Sequence, residues 1–304
     1  MNVVLLAGGG GGARFARGLH DVLGSDELTI IGNVGDDEEI LGLHVSPDLD
    51  SLLYTLAGVI DEERGWGRAN ETWRTLASAA EWGGEDWFML GDLDIGLHLV
   101  RTRALREGRA LSHVTKDLCA RMGIETRVLP ATDDRLRTHV VTPAGRFAFQ
   151  EWFVGRRHRD EVDAVEYEGA SEARSAPGVP EVLEAADALL LAPSNPYLSI
   201  GPIVAVREIR EAIESRGVRC VAISPLVGGA AVTGPAGRML SRMAGGTSPA
   251  HVALSYEGLI DALVIDEADA PAETSVDLVV TQTLMGDSQS ARRLAEIALE
   301  AACG

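Results

Sequence analysis

The chain has 304 residues, of which 46% are hydrophobic and 24% charged, and its formal net charge at pH 7 is −19, as in an ordinary acidic globular protein. This excess of Asp and Glu argues against a nucleic-acid partner, because neutralising a phosphate backbone requires clustered Lys and Arg. No apolar stretch reaches the roughly 18–20 residues that span a bilayer, and the N-terminus lacks the basic segment of a signal peptide, so we expect a cytoplasmic protein without a membrane partner.

The first predicted elements are a strand, a glycine run and a helix. Residues 3–7 are continuously apolar, as in a parallel strand buried on both faces, and residues 14–23 carry apolar residues near helical spacing. Between them lie Gly8, Gly9, Gly10, Gly11 and Gly12. Backbone N–H groups of such a run can bind phosphate where a helix begins. Arg14 follows it, and is either a phosphate ligand or an ordinary exposed arginine.

A second buried strand is predicted at residues 28–31, and it ends in Gly32 and Asn33. A nicotinamide-dinucleotide enzyme should carry Asp or Glu there to hold the ribose, and the chain also lacks the P-loop signature, so both classes are disfavoured. Residues 33–50 then gather carboxylates near the glycine run, which indicates a metal-assisted nucleotide reaction. The alternative is an ordinary helix start, because Ser-Pro-Asp at residues 46–48 supplies an N-cap, a first-turn proline and an acidic residue at the positive end of the dipole.

Residues 61–125 predict a mostly helical insertion, with helices at residues 97–106 and 112–122. Its Gly-Trp-Gly segment around Trp66 and its aromatic segment before Asp92 bring rings next to carboxylates. Such clusters are more often core than ligand platform, since each ring buries a large apolar area.

A β-rich excursion is predicted at residues 136–168. Within it, residues 138–142 and 146–154 are separated by Pro-Ala-Gly and predict a β-hairpin. The small, polar residues at 169–180 that follow are typical of a linker or mobile loop.

After residue 187 the alternation of strand, loop and helix returns. Strands are predicted at residues 188–192, 218–224, 259–265 and 278–281, and a closing helix at residues 288–302. We therefore predict a single α/β domain over residues 1–304, with a Rossmann-like, mostly parallel sheet and helices on both faces. Ser194, Asn195 and Ser224 follow two of these strands, so their loops should meet the glycine run in one crevice. The alternative is that these polar residues merely make turns.

Several short segments resemble the 2-phospho-L-lactate transferase family of coenzyme F420 biosynthesis, and they occur in the expected order along nearly the whole chain. They are Ala-Gly-Gly-Gly-Gly-Gly-Ala-Arg at residues 7–14, Asn-Val-Gly-Asp-Asp at 33–37, Ser-Pro-Asp-Leu-Asp-Ser-Leu-Leu-Tyr at 46–54, Glu-Arg-Gly-Trp-Gly at 63–67, Leu-Gly-Asp-Leu-Asp at 90–94, Phe-Gln-Glu-Trp at 149–152, Ala-Pro-Ser-Asn-Pro at 192–196, Ser-Ile-Gly-Pro at 199–202, Ser-Pro at 224–225 and Gly-Pro-Ala-Gly at 234–237. No segment is diagnostic alone, but their combined order is highly specific.

The resemblance implies that a phosphoenolpyruvyl or 2-phospholactyl group passes from a guanosine diphosphate-linked donor to the ribityl hydroxyl of the deazaflavin Fo, with Mg²⁺, releasing GMP. It also implies a catalytic role for Asp50 and metal binding by Asp48 and Asp50. The nucleotide would contact Gly8, Gly9, Gly10, Gly11, Gly12, Arg14, Ser194, Asn195 and Ser224. Fo would contact Asp50, Trp66, Met89 and Asp92. These partners are small molecules, and we also expect a homodimer.

Two departures from the family pattern stand out. Many members have threonines in the glycine loop and a lysine after it, whereas Arg14 here would hold phosphate with a bidentate guanidinium. Some relatives carry a basic residue where this chain has Met89. The loop ending Ala-Arg-Phe resembles the actinobacterial branch, whose family trait is a phosphoenolpyruvyl donor.

The chief rival is a non-catalytic regulator resembling the gluconeogenesis-factor proteins, which share this fold and bind nucleotide sugars. The Ser-Pro-Asp-Leu-Asp and Gly-Trp-Gly segments favour the transferase. On that hypothesis the helix cap and the catalytic site coincide, because a helix beginning at Ser46 aims Asp48 and Asp50 into the crevice. Asp36 and Asp37 receive no assigned role, and the two glutamates after them are expected to be solvated.

Overall fold

Strands and helices alternate along the chain in the computed structural model, which describes all 304 residues. The elements of the first half are β1 (Val3–Ala7), α1 (Gly9–Leu23), β2 (Leu28–Gly32), β3 (Glu38–Ile40), β4 (Leu43–Val45), α2 (Pro47–Leu56), α3 (Arg74–Glu81), α4 (Asp92–Arg106), α5 (Leu111–Arg121), β5 (Arg127–Pro130), β6 (Arg137–Thr142) and β7 (Gly145–Ala148). Those of the second half are β8 (Ala164–Glu168), α6 (Val179–Glu184), β9 (Ala188–Leu191), α7 (Gly201–Ala205), α8 (Arg207–Glu214), β10 (Cys220–Ile223), β11 (Leu226–Val227), β12 (Ala230–Ala231), α9 (Ala236–Met243), α10 (Pro249–Leu254), β13 (Ala262–Asp266), β14 (Asp277–Thr281) and α11 (Ser288–Cys303). None of the helices combines the length and apolarity needed to cross a membrane.

A seven-stranded parallel sheet forms the centre of the molecule, in the order β14-β13-β10-β9-β1-β2-β5. The chain proceeds outwards in one direction from β1 to β5 and in the other from β9 to β14. Because parallel crossovers are right-handed, the helices of these two halves cover opposite faces of the sheet. The predicted α/β class with a Rossmann-like sheet is confirmed, and its switch point lies between β1 and β9.

The central strands of the sheet consist almost entirely of apolar residues, which explains their burial on both faces. Every residue of β1, β9, β10 and β13 is buried. A parallel strand with helices on both faces has no solvent-facing side, so it reads as a continuous apolar run rather than an alternating one. From the sequence, this rule predicted the bounds of β1 and β9 to within about one residue.

Helix α1 begins five residues earlier than predicted, inside the glycine run. Four of the five glycines form its first turn, and Gly8 precedes it. Glycine weakens a helix by about 1 kcal/mol relative to alanine, which is why the sequence favoured a loop here. Close approach of the loop after β9 outweighs that preference, because a Cβ on Gly11 would lie 2.7 Å from the carbonyl oxygen of Pro193.

The acidic stretch contains a hairpin that the sequence did not predict. Strands β3 and β4 pair antiparallel across Leu41 and Gly42, whose φ angles are 51° and 73°. A two-residue turn in which both residues have positive φ matches the right-handed twist of the two strands that it connects. Leucine is not a usual residue for such a turn, so the pattern gave no signal.

Three further regions differ from the sequence-based prediction. Edge strand β5 was not predicted, and α4 begins at Asp92 rather than at residue 97. Residues 169–180 are not a linker, because Ala176 and Val179 are fully buried and Ser175 bridges to Thr132. Small residues there serve close packing rather than mobility.

The β-rich excursion is a three-stranded antiparallel sheet in the order β7-β6-β8. Its hairpin ends earlier than predicted, because a π-helical turn follows at Glu151–Gly155. The sheet packs on the acidic stretch at Gly35, where a Cβ would lie 2.5 Å from the Thr138 hydroxyl and 2.6 Å from Pro202. Only glycine allows this approach, which brings β6 next to the carboxylates after β2.

Candidate active site

The start of α1 lies in the crevice between the carboxyl ends of β1 and β9. The Ser194 hydroxyl donates a hydrogen bond to the Gly8 carbonyl at 2.6 Å, and it would lie 3.0 Å from a Cβ on Gly12. The predicted contact between the glycine run and the Ser194 loop is therefore present. The N–H groups of the first turn of α1 have no intrahelical partners, and they lie at the positive end of the helix dipole. Both properties favour binding of an anionic phosphate.

Arg14 lies at the mouth of this crevice. Its side chain is exposed and forms no salt bridge, and one guanidinium nitrogen lies 3.1 Å from the position of a Cβ on Gly65. The Gly-Trp-Gly segment thus passes directly over the start of α1. An unpaired guanidinium at this place suits phosphate binding.

Asp48 lies on the other side of the same helix start. A Cβ on Gly8 would lie 2.5 Å from its Oδ2. Asn33 donates from Nδ2 to that oxygen at 2.8 Å, and also to the Leu198 carbonyl at 3.2 Å. Burial raises the pKa of Asp48 to about 6. Asn33, to which the sequence assigned no contact, therefore positions a carboxylate.

Asp36 is the second carboxylate of the site, and the sequence gave it no role. It is 6% exposed, and its Oδ1 has no hydrogen-bond partner. Burial raises its pKa well above the usual value, and the charge of Asp48 raises it further. Asp37 beside it differs, since its Oδ2 accepts hydrogen bonds from Ser46 Oγ and His44 Nε2, both at 2.9 Å.

The side chains of Asp36 and Asp48 are suited to binding a divalent cation. Two buried carboxylates that repel one another, one with an unpaired oxygen, are stabilised by a positive charge between them. No three His, Cys, Asp or Glu side chains converge tightly enough to hold a metal ion by themselves. Mg²⁺ commonly uses one or two carboxylates and takes its other ligands from water and substrate phosphates.

Asp50 lies in a different setting from Asp48. Arg101, 1% exposed, donates to both of its oxygens, to Oδ2 at 3.0 Å and to Oδ1 through the other terminal nitrogen. Burial alone would raise the Asp50 pKa, but the Arg101 charge outweighs it and the pKa is lowered. Buried His98 lies 3.8 Å away, and burial lowers its pKa to about 4. An ion-paired carboxylate has little capacity left to bind metal.

Asp92 links two helices of the insertion. It accepts hydrogen bonds from the Thr72 hydroxyl, from the Arg74 N–H at 3.3 Å and from the Thr75 N–H at 2.9 Å, and the Thr72 bond lowers its pKa to about 2. Glu71 in turn accepts from the first N–H groups of α4. The two helix starts thus cap each other, so both Asp92 oxygens are engaged in structure.

Trp66 lies on a loop beside the crevice. Flanking Gly65 and Gly67 have φ angles of 74° and 68°, and Arg64 lies 5.4 Å from the Trp66 ring centroid. Trp66 is 44% exposed, so its ring offers a large apolar surface on which a flat ligand can stack. Met89 is similarly exposed at 42%.

Asp94 lies below this loop and was not singled out from the sequence. Its Oδ2 would be 3.7 Å from a Cβ on Gly67, and its buried Oδ1 has no hydrogen-bond partner. Burial raises its pKa to about 6. A carboxyl group with that pKa can take up a proton near neutral pH.

Asn195 and Ser224 shape the loops on the far side of the switch point. Asn195 Oδ1 accepts from the Tyr197 and Leu198 N–H groups, and Ser224 Oγ accepts from the Leu226 N–H at 3.2 Å. Beyond Ser224, at the carboxyl ends of β13 and β14, lies an open cavity of about 620 Å³. Its lining includes Val227, Asp266, Gln282, Leu284 and Arg293.

The raised pKa of Asp48 has a measurable effect on stability. Its pKa of about 6 exceeds the value of about 3.9 in an unfolded chain, so between these values the folded state binds more protons and gains stability as pH falls. From pH 7 to pH 5, the Mg²⁺-free wild type should gain about 1 kcal/mol in unfolding free energy relative to Asp48→Asn. The comparison with this variant cancels His98, whose lowered pKa acts in the opposite direction. Urea titrations at both pH values measure the difference, and a difference independent of pH contradicts it.

Comparisons with known proteins agree on one family. The family model described as 2-phospho-L-lactate transferase CofD matches residues 3–293. A phosphoenolpyruvate transferase from Kitasatospora aureofaciens is 44% identical over 311 residues, covering 98% of this chain and 97% of the relative. One from Streptomyces coelicolor is 46% identical over 282 residues, covering 91% and 88%.

Solved structures add a likeness of fold. A UPF0052 family protein from Bacillus halodurans superposes with a TM-score of 0.64 at 16% identity, covering 98% of both chains. A second determination gives 0.68 at 17% identity, with 98% and 99% covered. At such low identity the likeness shows a shared architecture only.

Proposed function

The chain belongs to the 2-phospho-L-lactate transferase CofD family, and we propose that it transfers a phosphoenolpyruvyl or 2-phospholactyl group from a guanosine diphosphate-linked donor to Fo, with Mg²⁺. It is thus a transferase of coenzyme F420 biosynthesis. Of the two possible donors we favour the phosphoenolpyruvyl one, because relatives that are 44–46% identical to this chain are phosphoenolpyruvate transferases.

One arrangement supports this proposal above all others. An anion-binding helix start, two buried carboxylates suited to a cation and an exposed indole meet at the switch point of the sheet. A pyrophosphate needs N–H donors and a cation to spread its charge, and a deazaflavin needs a flat apolar surface. The crevice offers both within one site.

In the proposed reaction, the ribityl hydroxyl oxygen attacks the phosphorus that carries the three-carbon acid. A new P–O bond forms, the P–O bond to the bridging oxygen of the pyrophosphate breaks, and GMP leaves. The N–H groups at the start of α1 and the Arg14 guanidinium hold the phosphates. Asp36 and Asp48 would hold Mg²⁺, which when bound supplies charge to the pyrophosphate oxygens.

The attacking hydroxyl must lose its proton to a base. We assign this role to Asp94, since its Oδ2 lies beside the Trp66 loop, 3.7 Å from the position of a Cβ on Gly67, and its pKa is raised to about 6. Asp50 remains required in this proposal, because its ion pair with Arg101 fixes the start of α2 and so the direction of Asp48. Asp50 as the base or a metal ligand is less favoured, since Arg101 engages both of its oxygens.

The guanosine half of the donor would extend from the start of α1 past Asn195 and Ser224. The open cavity beyond Ser224 has about 620 Å³, within the range of roughly 300–1,000 Å³ that small-molecule sites occupy.

Trp66→Ala should raise the KM for Fo about tenfold or more, because stacking of a flat ring on an aromatic side chain contributes roughly 1–3 kcal/mol. Trp66→Phe should retain most of the affinity. Trp82→Ala is the matched control, since Trp82 is a tryptophan of the same insertion that is 88% exposed. Steady-state kinetics at saturating donor measure the effect. An unchanged KM in Trp66→Ala rules out this placement of Fo.

Ligand binding separates the transferase from a non-catalytic regulator of the gluconeogenesis-factor type. Calorimetric titration should detect Fo and GDP binding, with GDP binding strengthened by Mg²⁺. A uridine nucleotide sugar should not compete. Tight binding of the uridine ligand together with no binding of Fo would favour the regulator.

A further inference from the structure

Arg64 lies between two indole rings of the insertion. The central carbon of its guanidinium is 5.4 Å from the centroid of the Trp66 ring and 5.0 Å from the centroid of the Trp73 ring. Trp73 is half-buried, whereas Trp66 is 44% exposed. Because Arg64 covers one face of the Trp66 ring, the exposed area of that ring lies on its other face and along its edges.

Two polar contacts fix the position of the Arg64 guanidinium. Its Nη2 donates to the Arg68 carbonyl at 2.7 Å and lies 3.0 Å from Oδ2 of Asp61. The other Asp61 oxygen, Oδ1, accepts a hydrogen bond from the Arg64 backbone N–H at 2.9 Å. Both carboxylate oxygens of Asp61 are therefore directed at Arg64.

The rest of the guanidinium is held by rings rather than by polar partners. Nε of Arg64 is buried without a hydrogen-bond partner, and so is the indole Nε1 of Trp73. An arginine that served only to pair with Asp61 could keep its remaining N–H groups in water. Arg64 instead buries them between two aromatic faces, which attract a cation.

The backbone that carries Trp66 is a closed loop. The Asp61 N–H donates to the Gly67 carbonyl at 3.0 Å, and the Gly65 N–H donates to the Asp61 carbonyl at 2.8 Å. These bonds hold the backbone on both sides of Trp66, but they leave its side-chain torsions free. The orientation of the ring therefore depends on what packs against it, and Arg64 lies over its face.

We propose that Arg64 is a positioning residue for Fo. By packing between Trp73 and Trp66, it holds the Trp66 indole with its free face towards the crevice, where the flat ring of Fo would stack. The assignment rests on the proposed function, and Arg64 acts through Trp66 without contacting Fo. A ring that is already ordered loses less conformational freedom when a ligand stacks on it, so Arg64 favours binding rather than the chemical step.

Arg64→Gln should raise the KM for Fo about three- to tenfold at nearly constant kcat, as expected from the loss of a cation–π contact and of an ordered side chain. Arg64→Lys keeps a cation beside the ring and should recover part of this loss. Arg74→Gln is the matched control, because the Arg74 side chain is exposed on the same insertion and forms no hydrogen bond or salt bridge. It should leave the KM unchanged.

A double-mutant cycle separates positioning from direct contact. If Arg64 acts through Trp66, Arg64→Gln should cause no further rise in the KM for Fo when Trp66 is already alanine. A rise of the same size with and without the Trp66 ring would show that Arg64 acts independently of Trp66, and would overturn the assignment.

The mobility of the indole provides a test that needs no substrate. The Nε1–H signal of Trp66 in the NMR spectrum is identified by its loss in Trp66→Phe. The heteronuclear NOE of this signal should fall in Arg64→Gln and keep its wild-type value in Arg74→Gln. An unchanged NOE in Arg64→Gln overturns the assignment. If the wild type transfers nothing to Fo, the proposed function fails and the role in Fo binding fails with it, whereas a lower NOE would still show that Arg64 orders the ring.

Discussion

Asp48→Asn is expected to lower kcat by about 10²- to 10³-fold, the effect of removing one preorganised charge interaction from a transition state. Asp48 touches the start of α1 and is oriented by Asn33. The substitution keeps the shape but removes the charge that would hold Mg²⁺ against the pyrophosphate. Initial rates measured over a range of Mg²⁺ concentrations should show both a lower maximum and a weaker dependence on the ion.

Asp26→Asn is the control for Asp48→Asn, because Asp26 is exposed between α1 and β2 and forms no hydrogen bond or salt bridge. Its rate should equal that of the wild type. Because Asp48→Asn removes a buried charge at pH 7, the variant should still fold. Its circular dichroism spectrum, compared with that of the wild type, tests this. A fully folded Asp48→Asn with normal rate and normal Mg²⁺ dependence would remove Asp48 from the site.

Arg101→Gln is expected to lower the free energy of unfolding by about 3–5 kcal/mol, the usual effect of removing one partner of a buried ion pair. Asp50 would be left charged, buried and unpaired, since Arg101 donates to both of its oxygens. Urea unfolding at pH 7 measures the loss. Arg103→Gln on the same helix should change stability by less than about 1 kcal/mol, because its pair with Glu107 is exposed.

The double variant Arg101→Gln, Asp50→Asn removes both charges and should recover part of the loss, as coupled neighbours do. Turnover should still be lost in Asp50→Asn alone, because the start of α2 loses its anchor. If Arg101→Gln and Arg103→Gln prove equally harmless, the ion pair does not hold this region together. Normal Mg²⁺-dependent transfer to Fo by Asp50→Asn would show that Asp50 has no part in turnover.

Local pattern was sufficient for every strand of the central sheet except β5, and for the place of the site. Continuous apolar runs located β1 and β9, and the rule that parallel strands present their carboxyl ends at one edge brought Ser194 to the glycine run. The Ser-Pro-Asp sequence located the start of α2 and hence the position of Asp48. Each of these inferences depends on residues close together in the sequence.

Contacts between distant residues were beyond such patterns. Arg101 and Asp50 are 51 positions apart, so no spacing rule joins them. Asn33 weighed against a dinucleotide enzyme and belongs to a segment of the family resemblance, but no sequence pattern showed that its amide positions Asp48. Asp36 and Asp94 lie in segments that carry the family resemblance but received no role from the sequence, and their burial and unpaired oxygens are what distinguish them. Side-chain burial depends on the whole fold.

The most direct test of the proposed reaction is the mass of its product. The protein is incubated with Fo, Mg²⁺ and either the phosphoenolpyruvyl or the 2-phospholactyl guanosine diphosphate donor. We expect mass spectrometry to detect Fo joined through a phosphodiester to the three-carbon acid, with one GMP released for each product and none formed without Fo. Unchanged Fo in the presence of both donors, with a protein that remains folded, would contradict the proposed function.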